Sequence, residues 1–104
     1  MKRVGFAMQL KDGVVAEYKK RHDEIWPELV ELLERVGIRD YAIYLDPRTN
    51  TLYASQKLTE HNSAEGLAKT DLMHKWWDYM ADLMETNPDG SPVVYPLDEM
   101  FYMD

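Results

Sequence analysis

YAIYLDPRTNTLYASQKL, residues 41–58, is the stretch that settles the architecture. Tyr41–Leu45 (YAIYL) reads as a strand, Asp46–Asn50 (DPRTN) as a turn, and Thr51–Leu58 (TLYASQKL) as the returning strand of a hairpin. Ahead of it, Val4, Phe6, Met8 and Leu10 alternate with Gly5, Ala7 and Gln9, which predicts a strand over 4–10. Asp12 and Gly13 turn the chain. From Val14 to Val36 the apolar Val14, Tyr18, Ile25, Leu29, Leu32 and Val36 recur at helical spacing, with a wet face of Glu and Lys. Pro27 lacks an amide hydrogen, so the helix should kink or restart near Trp26, and Gly37 should stop it. Beyond the hairpin, helical character returns from Ser63 to Met84, in two pieces meeting near Thr70 and Asp71. Ser63 or Asn62 can cap the first piece, Thr70 or Asp71 the second. NPDGSP at Asn87–Pro92 is a loop, and LDEMFY at Leu97–Tyr102 is expected to be the last strand.

The order βαββαβ implies an α+β, ferredoxin-like fold: an antiparallel sheet with both helices on one face. Such a unit leaves its other sheet face bare, and two of them often join there as a dimeric α/β barrel. With 104 residues, the chain is expected to be one domain spanning 1–104. It is 45% hydrophobic and 30% charged, a globular composition. A net charge of −7 argues against nucleic acid and against anionic membrane surfaces as partners. The basic start is interrupted by Gln9, Lys11 and Asp12 and does not read as a signal peptide. There are no cysteines, which excludes disulfides, thiolate zinc sites and thiol nucleophiles. The expected location is the cytoplasm.

Chemistry concentrates at Tyr18, His22 and Trp26, spaced four residues apart, with Pro27 immediately behind. A continuous helix would align phenol, imidazole and indole on one face. Histidine gives and takes protons near neutrality, so the ridge reads as a sugar-sized pocket containing an acid/base. A histidine beside an aromatic is more often a packing residue, and the company of three such groups is what raises this one. Trp76 and Trp77 are the second unusual feature. Consecutive helical residues point about 100° apart, so one indole can pack while the other borders a cavity or a subunit contact. Tyr41 opens the second strand, where a hydroxyl can orient a substrate oxygen. His22, His61 and His74 share no metal-binding spacing, and the dispersed glycines make no phosphate loop.

YKKRHDEIWPEL at Tyr18–Leu29, DYAIYLD at Asp40–Asp46, KWWDYM at Lys75–Met80, NPDGSP and the terminal FY at Phe101–Tyr102 together resemble the L-rhamnose mutarotases over essentially the whole chain. The resemblance implies a dimer formed by sheet packing that acts without metal or cofactor. It also implies a six-carbon deoxy sugar as substrate, exchanged between α- and β-pyranose forms. By the same resemblance the proton donor falls on His22 and the sugar contacts on Tyr18, Tyr41, Trp76 and Trp77. Gly66-Leu67 and VVYP at 93–96 match no part of the family pattern, which leaves sugar preference open.

Anomer exchange opens the ring to an aldehyde and recloses it, with one proton reaching the ring oxygen and another leaving the anomeric hydroxyl. The expectation is that His22 protonates the ring oxygen, with Tyr18, a carboxylate or water taking the other proton. The rival readings are a small dimeric α/β-barrel oxygenase and a sugar-binding module without catalysis.

Overall fold

A computed structural model describes all 104 residues. The elements run β1 (Lys2–Gln9), α1 (Val15–Asp23), α2 (Pro27–Arg35), β2 (Ile38–Asp46), β3 (Thr51–Leu58), α3 (Asp71–Met80) and β4 (Tyr95–Leu97), with 3-10 turns at Ala64–Lys69 and Ala81–Leu83. The sheet order is β2-β3-β1-β4 and every pairing is antiparallel. This is the expected ferredoxin-like order, with the first helix divided in two.

The division has a local cause. Glu24–Trp26 leave the helix, and Trp26 adopts an extended backbone (φ −61°, ψ 128°) before Pro27 starts α2. The residue preceding a proline is pushed out of the helical region, while proline itself suits a first helical turn. Gly37, at φ 99°, ends α2 in the left-handed region where a Cβ is costly. A Cβ there would also lie 2.7 Å from that of Asn62. Two helical pieces do meet at Thr70, whose hydroxyl accepts from the Met73 amide at 3.4 Å to cap α3. The first piece is a 3-10 turn.

The core lies between the helices and one sheet face. Leu29 is 1% exposed and packs with Leu32, Val36, Met8, Leu52, Met80 and Leu83. Burying a leucine fully contributes about 1.5–3 kcal/mol, and truncating one to alanine costs about 2–5. Leu29 therefore anchors α2 firmly.

The last strand differs from expectation. It is Tyr95–Leu97, paired with Gly5–Ala7, and residues 98–102 are not strand. Pro96 sits inside it opposite Phe6. An edge strand has one side free of ladder bonds, so a missing amide hydrogen is tolerated there. Past β4, Arg3 holds the tail by an ion pair to Glu99 at 3.0 Å and by lying 3.3 Å over the Tyr102 ring.

One irregularity positions Tyr41. The β2–β3 register slips between Arg39 and Ala42, so Asp40 and Tyr41 stand opposite Gln56. Asp40 takes φ 47° and pairs with Lys57 at 3.0 Å. Such a bulge resets the alternation of the strand. Ile38 before it and Ile43 after it both face the helices, and Tyr41 turns toward the same side.

Candidate active site

α1 is a short amphipathic helix with a single buried residue, Tyr18. Its ring stacks on His22 one turn later, with centroids 4.3 Å apart and planes 29° from parallel. Trp76 of α3 meets the imidazole edge-on at 5.3 Å. The imidazole thus contacts aromatic rings from two different elements.

One hydrogen bond defines its chemistry. His22 Nδ1 lies 3.2 Å from the Tyr18 backbone oxygen. A carbonyl only accepts, so Nδ1 carries the hydrogen, and in the neutral ring Nε2 keeps its lone pair. Burial lowers the His22 pKa, opposed by that hydrogen bond and by the Asp23 charge. The resting imidazole is accordingly neutral at physiological pH, with Nε2 as the base.

Tyr18, His22, Tyr41 and Trp76 line one cavity of about 500 Å³ between α1, α2 and the sheet, within the range of small-ligand sites. Its walls are apolar, among them Leu10, Leu33, Ile43, Leu45 and Met73. Burial pushes the Tyr18 phenol well above the usual tyrosine range, with a contribution from nearby Tyr41. Tyr41 is pushed up to about 12 by the same cause. Tyr41 is 41% accessible and lines this cavity. Both phenols stay protonated and serve as hydrogen-bond donors. The Tyr18 hydroxyl is not buried without a partner, and neither phenol is engaged by another protein group, so both are free to meet a ligand.

Four of the five expected site residues therefore converge. Trp77 does not line this cavity: its indole turns away along α3 and meets His74 edge-on at 5.1 Å. Trp26 also departs from the expected ridge. Because α1 ends at Asp23, Trp26 does not line the cavity and instead meets Trp76 edge-on at 5.1 Å and stacks on Tyr79. Lys19 and Asp23 line the cavity as well, joined by contacts of 3.1 Å from Nζ to both carboxylate oxygens. Neither residue was among the expected site residues. The signal for Lys19 was its place three residues before His22, on a neighbouring helix face. No group of three or more His, Asp or Glu side chains is assembled to hold a metal ion.

Comparison with known proteins identifies the family. The family model described as L-rhamnose mutarotase matches residues 3–103. An L-rhamnose mutarotase of Bacteroides thetaiotaomicron is 55% identical over 104 residues, covering all of both chains. One from Formosa agariphila is 49% identical with the same full coverage. A crystal structure of an L-rhamnose mutarotase from Formosa agariphila superposes with a TM-score of 0.93 at 47% identity, again covering both chains completely. This full-length similarity leads to one assignment: the chain belongs to the L-rhamnose mutarotase family, and it is an anomer-interconverting isomerase.

Proposed function

We propose that this chain interconverts the α- and β-pyranose forms of L-rhamnose in the cavity beside α1, with His22 as the proton carrier. The supporting observation is the fixed tautomer: Nδ1 donates to Tyr18 O, leaving Nε2 as the nitrogen free to meet the sugar. In the neutral resting state Nε2 takes the proton of the anomeric hydroxyl. The C1–O1 bond becomes a carbonyl as the C1–ring-oxygen bond breaks, its electron pair staying on the ring oxygen. The imidazolium then protonates that oxygen, giving the open aldehyde and a neutral histidine. Rotation about C1–C2 and reversal of the same steps close the ring on the other carbonyl face.

His22 thus protonates the ring oxygen in the opening direction. O1 and the ring oxygen share one carbon, so a single nitrogen can serve both. Tyr18 and Tyr41, held protonated, donate to whichever oxygen gains charge, an oxyanion-type stabilisation. Trp76 and the apolar wall suit a ring face and the C6 methyl, while Lys19 and Asp23 offer a donor and an acceptor to the hydroxyls. Trp77 enters as a sugar contact by family resemblance only.

We also propose a homodimer through the sheet face away from the helices. Tyr53, Tyr95 and Leu97 are 42–50% exposed, and Phe101 in the following tail is 81% exposed. A cytoplasmic location agrees with the cysteine-free composition, and no helix is long and apolar enough to cross a membrane.

The test is to measure anomerisation rates for a panel of aldoses against enzyme-free buffer. Acceleration greatest for L-rhamnose is the expected outcome. Saturable L-rhamnose binding without acceleration would instead make the chain a sugar-binding module.

A further inference from the structure

α1 carries both Tyr18 and His22, yet it has only nine residues, no side-chain N-cap and one buried side chain. A helix this short has little stability of its own, so its placement depends on what ties it down. On its α3 side the tie is Arg21. Its Nε donates to Glu17 Oε2 at 2.7 Å. Its Nη1 donates to the Tyr79 backbone oxygen at 2.6 Å and to Asp82 Oδ1 at 2.8 Å, and Nη2 reaches Asp82 Oδ2 at 3.4 Å. The guanidinium also lies 4.6 Å over the Tyr79 ring. That ring leans on Trp76 at 5.8 Å, and Trp76 abuts His22.

An exposed ion pair is worth little, and Asp82 is 65% exposed. The Arg21 side chain is only 14% exposed, and its partners lie on both helices. It joins the imidazole-bearing helix to the C-terminal end of the indole-bearing one. Only a planar fork can reach a carbonyl, two carboxylates and a ring face together, which a lysine cannot do.

We propose that Arg21 is a positioning residue for the anomer exchange: seated across Asp82, the Tyr79 carbonyl and the Tyr79 ring, it holds α1 so that His22 stays in register with Trp76 and the cavity. This rests on the reading of His22 as the proton carrier. Misplacing a catalytic group by about 1 Å can cost on the order of a hundredfold in rate.

The experiment compares Arg21→Lys, Arg21→Gln and Asp82→Asn, each verified by circular dichroism and thermal melting, with His22→Ala in parallel. Readouts are kcat, KM and the acid midpoint of the pH–rate profile for L-rhamnose. The titratable or charged groups around His22 are Tyr18, Lys19, Arg21 and Asp23 of α1 and Tyr41 and Tyr44 of β2, with Glu17 and Asp82 reached through Arg21. α3 presents the uncharged Trp76.

Electrostatics alone predicts opposite shifts: losing the Arg21 charge raises the midpoint, and losing the Asp82 charge lowers it. A loosened α1 admits water to His22 and moves the midpoint up in all three variants. The expected result is that upward shift, with kcat lowered about ten- to a hundredfold in Arg21→Lys and KM changed less. An Asp82→Asn midpoint that falls or stays put, or kcat within about twofold of the parent in folded Arg21→Lys, overturns the positioning role. Should Arg21→Gln fail to fold, the other two variants decide. His22→Ala inactive beside unimpaired Arg21 and Asp82 variants refutes the positioning role alone, whereas an unimpaired His22→Ala refutes the proton carrier as well.

Discussion

Replacing Tyr18 with phenylalanine removes one oxygen from the cavity and nothing from the packing. Tyr18 is 8% exposed, so its ring is part of the core, but its hydroxyl engages no protein partner. The stability contribution lies in ring burial and the 4.3 Å stack on His22, both of which phenylalanine keeps. A hydroxyl facing a cavity contributes no intramolecular hydrogen bond, so the stability change should be within about 0.5 kcal/mol. The effect on rate has a different scale. An ordinary neutral hydrogen bond is worth about 0.5–1.5 kcal/mol, equivalent to about two- to twelvefold in rate. A donor aimed at developing charge in a dry site is worth about 2.7–4 kcal/mol, or about a hundredfold to a thousandfold. The assay pairs thermal unfolding with NMR exchange between the two anomeric protons of L-rhamnose. The expected outcome is an unchanged melting temperature with a rate loss above about tenfold. A large loss of stability would show that the hydroxyl is a structural element. A full rate with intact stability would remove Tyr18 from the chemistry.

The pH dependence follows from the His22 shift. Its folded pKa is lowered and its neutral form is the active one, so the rate is held at neutral pH and lost as pH falls. The midpoint lies below the ordinary value of about 6.5; a rate that rises on acidification instead would mean that the enzyme rests as imidazolium. In D₂O the anomeric carbon should keep its hydrogen through many turnovers, since only C–O and O–H bonds break, and deuterium at carbon by mass spectrometry would contradict this. Gly37→Ala combines a positive φ with a new Cβ 2.7 Å from that of Asn62. It should cost more than about 2 kcal/mol by urea denaturation, and a change below about 0.5 kcal/mol would show that the turn relaxes freely.

Local rules carried most of the architecture. Alternation in Phe6–Met8–Leu10, the turn residues of Asp46–Asn50 and the proline break at Trp26 each act within a few residues, and each is visible in the fold. What escaped depended on distant partners. β4 lies earlier than the expected Leu97–Tyr102, since only its edge position opposite Phe6 makes Pro96 acceptable within a strand. The bulge at Asp40 and Tyr41 has no sequence pattern of its own, since it exists only against Gln56 on the paired strand. The site was legible to the extent that it lies on one helix: Tyr18 and His22 are one turn apart and do stack. Trp26 left the ridge because the helix break that Pro27 causes also ends the periodicity that would have aligned it. Lys19 and Asp23 carry no motif of their own, and only the cavity beside them brings them to the site.

The central claim is that one imidazole moves the proton between the two oxygens of the anomeric carbon. It is tested most directly by two-dimensional NMR exchange on L-rhamnose with the parent chain, with His22→Ala and with buffer alone. General acid–base catalysis contributes about a hundredfold to ten-thousandfold, so the folded His22→Ala variant should lose that factor and approach the buffer rate. A folded His22→Ala protein that exchanges the anomers as fast as the parent would contradict the account.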